Sequence, residues 1–191
     1  MPHKQTQTEW EQAMARRVME QIRGELYLDQ RYLNAALGAL PPAPLNSAQT
    51  AFATDGAHLY YPPGWVLELY RKNRRYLPRA WLHSLLHCIL RHPWLRDRRD
   101  PELWGLACDI AVENVLDSLH TAATERPVGW VRQQTYARLR AQGGFLAAGP
   151  IYQALAGISA AEREALRAEF FCDSHRLWPA DPDSPAARVQ G

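Results

Sequence analysis

Residues 78–93 read PRAWLHSLLHCILRHP, and the fold is decided there. A proline suits the first turn of a helix, where its missing N–H has no intrahelical partner, and Pro93 cannot be carried inside one. Between the two prolines, Trp81, Leu82, Leu85, Leu86, Ile89 and Leu90 leave almost no polar face, which makes this a core helix. His83 and His87 interrupt it four residues apart, about 40° from each other around the axis, so both imidazoles project from one face. One helix gives two nitrogens to a tetrahedral Zn²⁺ in this way. Buried imidazoles need partners, and two readings stand: histidines hydrogen-bonded within the core, or metal ligands.

The next apolar helix bears on the choice. In LACDIAV, residues 106–112, Asp109 is a carboxylate in a hydrophobic setting, costly to bury unless it is paired or bound to a metal. It is the candidate third ligand, with an ion pair to a nearby arginine as the alternative. Glu113 lies one turn further on the same face. Ser84 occupies the position that holds the glutamate base in His-Glu-x-x-His sites, and a hydroxyl cannot replace a carboxylate as a base. A base must then come from elsewhere, with Glu113 the candidate and Glu102 behind it. His92 reaches the pair only if the helix ends before it; otherwise it bonds carbonyls at the helix end. In CDSH, residues 172–175, Asp173 and His175 offer a further ligand or a carboxylate orienting an imidazole, or else mark a turn. Cys88 and Cys108 are expected to pack in the core, and His3, His58 and His120 to face solvent.

Working outward, residues 8–24 carry Trp10, Met14, Val18 and Ile22 as an apolar helical stripe, and Leu26, Leu33, Leu37 and Leu40 follow at helical spacing. The PPAP run, residues 41–44, stops any helix. Asp55-Gly56 between short apolar runs predicts a β-hairpin, residues 51–54 against 57–61, lying on the helices. Helices are expected over 65–73 and after Asp100-Pro101, and from the capping pattern of Ser159 and Glu162. The fold class is α+β, mainly helical with one small hairpin. Residues 1–178 read as a single domain and 179–191 as a Pro-rich linker or tail.

Composition sets the outer limits. The 191 residues include 22 basic and 20 acidic side chains, a net charge of +2, with 47% hydrophobic and 22% charged residues, an ordinary globular balance. Three widely spaced cysteines favour a reducing compartment, and the expected location is cytoplasmic. No apolar run reaches the roughly 20 residues of a membrane span. Nine basic residues against Asp97 and Asp100 give residues 71–100 a charge of +7 and the rest −5. Arginine bias runs through the whole chain, so this stretch reads as a solvated, partly salt-bridged helix surface rather than a nucleic-acid site.

The ordered segments ELYLDQRYLNAALGAL, FATDGAHLYYPPGWV, LHSLLHCILRHP and DPELWGLACDIAVENVL, with DSHRLW near the end, resemble the N-terminal domain of bacterial predicted metal-dependent peptidases associated with a von Willebrand A module. The resemblance covers the chain from about Gly24 to DSHRLW. It implies a compact zincin-like helical domain with a hairpin beside the cleft, Zn²⁺ at His83 and His87 with Asp109 as third ligand, and a peptide substrate. It also implies AAA+ ATPase and von Willebrand A partners. The von Willebrand A module itself is absent from these residues, which implies a shortened or stand-alone form. Because Ser84 stands where active zincins carry glutamate, the alternative is a non-catalytic protein–protein interaction scaffold working with those partners.

Overall fold

A computed structural model describes residues 6–46 and 48–179. The expected tail, apart from Pro179, and His3 lie outside the described residues. Among the described residues, eight α-helices and a small four-stranded sheet give the α+β class expected from the sequence.

Helix α1, Gln7–Asp29, opens on a capping box in which Thr6 Oγ1 accepts from the Glu9 N–H and the Glu9 carboxylate accepts from the Thr6 N–H. It buries Ala15, Met19, Ile22 and Leu26, while Trp10 is exposed. The expected stripe fails at its start because steps of four drift about 40° each. The helix also runs through Gly24, whose cost of about 1 kcal/mol is outweighed by burial of Ile22 and Leu26 on either side. A 3-10 turn, Arg31–Leu33, leads to α2, Asn34–Ala39.

The sheet is larger than the expected hairpin. Strands β2, Phe52–Thr54, and β3, Leu59–Tyr61, pair antiparallel as predicted, with Ala53 opposite Tyr60. Strand β1, Pro42–Pro44, adds in parallel to β3, and β4, Asp173–Ser174, in parallel to β2, giving the order β1-β3-β2-β4. Prolines are tolerated in β1 because it is an edge strand. Strand β4 brings the far C-terminal segment beside the hairpin, with Phe52 opposite Asp173.

Helix α3, Pro63–Asn73, leads to α4, Tyr76–Ile89, in which every residue from Leu77 to His87 is buried. Pro78 sits in its first turn. Arg79 is buried too and ion-paired to Glu113 and Asp117, so the basic stretch is salt-bridged in part, as expected, but this arginine is not on the surface. Helix α5, Pro101–Ser118, begins where Asp100 Oδ1 accepts from the Leu103 N–H. Helices α6, Trp130–Gly143, α7, Ala148–Leu155, and α8, Ala160–Phe170, complete the chain, the last capped by Ser159 as expected. One hydrophobic cluster gathers α1, α3, α4 and the sheet, and a second gathers α5 with α6, α7 and α8. The face between α4 and α5 is where the two meet. Among the described residues no helix is long and apolar enough to cross a membrane.

Candidate metal centre

The polar side chains buried between α4 and α5 converge. His83 and His87 Nε2 atoms lie 2.9 Å apart, and Asp109 Oδ1 from α5 is 3.3 Å from each. Asp173 Oδ1, carried in by β4, lies 3.7 Å from His83 Nε2 and 3.9 Å from His87 Nε2. His175, in the 3-10 turn after β4, places Nε2 3.1 Å from Asp109 Oδ1 and 3.0 Å from Asp173 Oδ1. His83, His87, Asp109 and Asp173 form a buried group that could hold a metal ion. Bonds of about 2.0–2.2 Å in a tetrahedron place neighbouring donors about 3.3–3.5 Å apart, close to the spacings found.

The buried atoms themselves ask for such an occupant. Asp173 Oδ1 and His175 Nε2, both buried, make no hydrogen bond and face each other at 3.0 Å as an ion pair. Lone pairs that converge on a common point fit a cation better than a hydrogen bond. The outer nitrogens of the two helix histidines are engaged as metal-bound imidazoles require: His83 Nδ1 is 2.8 Å from Glu113 Oε1, and His87 Nδ1 is 3.0 Å from His92 Nδ1. With both Nδ1 atoms donating, the tautomers leave both Nε2 lone pairs free at the centre.

Local sequence explains these placements. Helix α4 ends at Ile89 and Arg91 adopts a left-handed conformation, φ 61°, so His92 turns back towards His87 instead of continuing round the helix. Its backbone carbonyl accepts from Trp104 Nε1, and its ring faces His87 rather than capping α4 carbonyls. Gly105, inside α5, lets His175 approach: a Cβ there would lie 2.6 Å from His175 Nδ1. Trp178 stacks on the His175 ring, centroids 3.8 Å apart. Ser84 is buried and donates from Oγ to Asp173 Oδ2 at 2.6 Å.

Glu113 has a different setting from the one a base needs. It lies on the far side of His83, and its second oxygen accepts from Arg79 at 2.8 Å, from Arg126 at 2.6 Å and from Arg132. Burial opposes its charge, but His83 and these guanidiniums hold its carboxyl well below the usual range. It is geometrically an orienting carboxylate for His83, so the base expected at Glu113 is not offered there. Glu102 pairs with Arg167 on the surface. Asp109, by contrast, faces histidines rather than arginines.

Burial pushes His87 down to about 4 and His92 down to about 3, which keeps both neutral at pH 7. Burial likewise opposes charge on His175, yet Asp109 and Asp173 raise it to about 10. His83 rises well above its ordinary value for the same kind of reason, against burial, through Cys172, Asp109 and Glu113. Two clustered carboxylates thus draw positive charge, here as protons, to a place where a dication would serve both.

Sequence reading gave Asp173 and His175 less weight than turn chemistry, and it missed Gly105 and the buried Arg79 and Arg132. Gly105 was the available signal, since a glycine inside an apolar helix marks a close approach.

Fold and centre together define a helical α+β domain with a buried His/Asp cluster of metal-site type. Residues 5–177 match the family described as "Putative metallopeptidase domain", and the chain belongs to that family. No curated protein and no solved structure matches it.

Proposed function

We propose that this domain is a zinc-dependent hydrolase acting on peptide bonds, with His83, His87 and Asp109 as the ligands. The observation that carries the reading is the convergence of those three donor atoms at 2.9–3.3 Å with the buried Asp173 Oδ1 and His175 Nε2 beside them. Two imidazoles and a carboxylate suit zinc and leave one position open, the arrangement of catalytic rather than structural sites. When bound, the ion polarises a carbonyl or an attacking water. The chain's own residues orient it: Glu113 and His92 fix the rings, and His175 and Asp109, whose side chains are 20% and 9% exposed, are the members of the cluster nearest the surface.

Ser84 supports a second reading, a metal-bearing scaffold that binds partner proteins without hydrolysis. Purified without chelator or an added histidine tag, wild type is expected to carry about one zinc per chain by elemental analysis, and His83→Ala none. Wild type free of metal, or His83→Ala with unchanged content, overturns both metal readings. Zinc-loaded wild type that leaves fluorogenic casein intact decides for the scaffold.

A further inference from the structure

The geometry points to Asp173 as the proton acceptor of the hydrolytic reaction, delivered by β4 and aimed by Ser84 into the place that a helix-borne glutamate fills in His-Glu-x-x-His sites. This inference rests on the zinc-hydrolase reading above and names the base that reading leaves open.

Three observations meet at this carboxylate. Its Oδ2 is fixed by the Ser84 hydroxyl at 2.6 Å, and Ser84 is the residue that follows His83 on α4. The short serine side chain therefore holds a carboxylate supplied by another element where a glutamate at the same position would carry its own. The other oxygen, Oδ1, is fully buried and lacks a hydrogen-bond partner. It also stands farther from His83 and His87, 3.7 and 3.9 Å, than Asp109 Oδ1 does at 3.3 Å. Asp109 thus fits the ligand triangle, and Asp173 borders the position that triangle leaves open. His175 Nε2, 3.0 Å from Asp173 Oδ1, closes the same position from the solvent side.

In the reaction one water is consumed. Its oxygen bonds to the carbonyl carbon, one of its protons passes to Asp173 Oδ1, the C–N bond breaks, and the departing nitrogen receives that proton. Ser84 is a positioning residue: it touches Asp173 and not the reacting atoms.

The test separates base from ligand and returns the carboxylate to the helix. Asp173→Ala is expected to keep about one zinc per chain with affinity within about tenfold of wild type. Its cleavage of fluorogenic casein is expected to fall about 100-fold or more. In the double variant Ser84→Glu/Asp173→Ala, the side-chain atoms added on α4 equal those removed from β4. It should recover at least a tenth of wild-type cleavage, whereas Ser84→Ala alone should lose cleavage and keep zinc. A readout without turnover accompanies these: acetohydroxamate should shift the visible spectrum of the cobalt-substituted wild type and of the double variant, and bind Asp173→Ala about tenfold more weakly or worse. Circular dichroism establishes that each variant is folded; if Asp173→Ala is not, Asp173→Asn replaces it with the same expectations. Loss of zinc from a folded Asp173 variant makes Asp173 a ligand and overturns the proposal. Undiminished cleavage or undiminished acetohydroxamate binding in that variant overturns it too. Zinc-loaded wild type that cleaves nothing overturns this inference while leaving the metal site standing, and wild type without zinc removes both.

Discussion

The two ring nitrogens of His83 have separate tasks: Nε2 faces His87 and Asp109, and Nδ1 is held by Glu113. A ligand ring held only at the metal can rotate, and the outer hydrogen bond fixes both its tautomer and its plane. Glu113 is itself fixed by Arg79, Arg126 and Arg132, so the orientation of one imidazole is anchored in helices α4 and α6 and in the loop before α6. Glu113→Gln keeps the shape and removes the charge. Zinc affinity should fall about 10- to 100-fold, measured by competition with a chromophoric chelator. Folding stability in urea should fall by about 3 kcal/mol, because the buried guanidiniums lose their shared anion. The pH dependence has a definite sign. The Glu113 carboxyl is lowered in the fold from an ordinary 4.5, so its contribution is complete above that value and is lost as pH falls below it. The gap between wild type and Glu113→Gln should shrink in acid as pH falls below the ordinary glutamate value. A gap that widens in acid would contradict the assignment.

At the scale of elements, α5 and the turn after β4 are matched by one missing methyl. Gly105 sits where an alanine Cβ would come within 2.6 Å of His175 Nδ1, and Trp178 stacked on that ring prevents an easy retreat. Alanine in a helix interior is otherwise better than glycine by about 1 kcal/mol. Gly105→Ala should therefore destabilise wild type yet be neutral or stabilising in a His175→Ala background. The coupling in the double-mutant cycle should be at least about 1 kcal/mol by urea denaturation, and additivity would refute the contact. The same pair shows what a sequence can reveal. Helix α4 was legible because its apolar run, its proline and its two histidines are local, and the hairpin because Asp55-Gly56 fixes its own turn. Strands β1 and β4 were not, since a three-residue strand with two prolines and a two-residue strand carry no period and pair only with residues distant in the chain. His83, His87 and Asp109 could be named from spacing and apolar context. That Asp173 arrives beside Ser84 depends on a contact spanning most of the chain, which no local pattern encodes.

For the whole molecule, the two hydrophobic clusters leave a polar layer at their junction, built from α4, α5 and the residues after α8. Carboxylates in that layer repel one another unless protons or a cation intervene, so the junction is the part of the fold whose stability depends most on an occupant. The segment from Asp173 to Trp178 is tied to the rest by one short strand, the Ser84 hydroxyl, the contacts of His175 and the packing of Trp178 on His87 and the second cluster. An ion between α4 and α5, with Asp173 and His175 packed around it, would hold that segment at its centre, while no side chain of α1 or α3 belongs to the group. Zinc at 100 times its dissociation constant should stabilise the native state by about 2.7 kcal/mol. For a chain of this length that corresponds to a rise in Tm of about 5–10 °C, reversed by chelator. Hydrogen exchange should locate the gain: amides from Cys172 to Trp178 should slow markedly on zinc addition, those in the middle of α1 hardly at all. Uniform protection across the chain would mean a global effect, and an unchanged C-terminal segment would mean that the ion, if bound, does not hold the junction together.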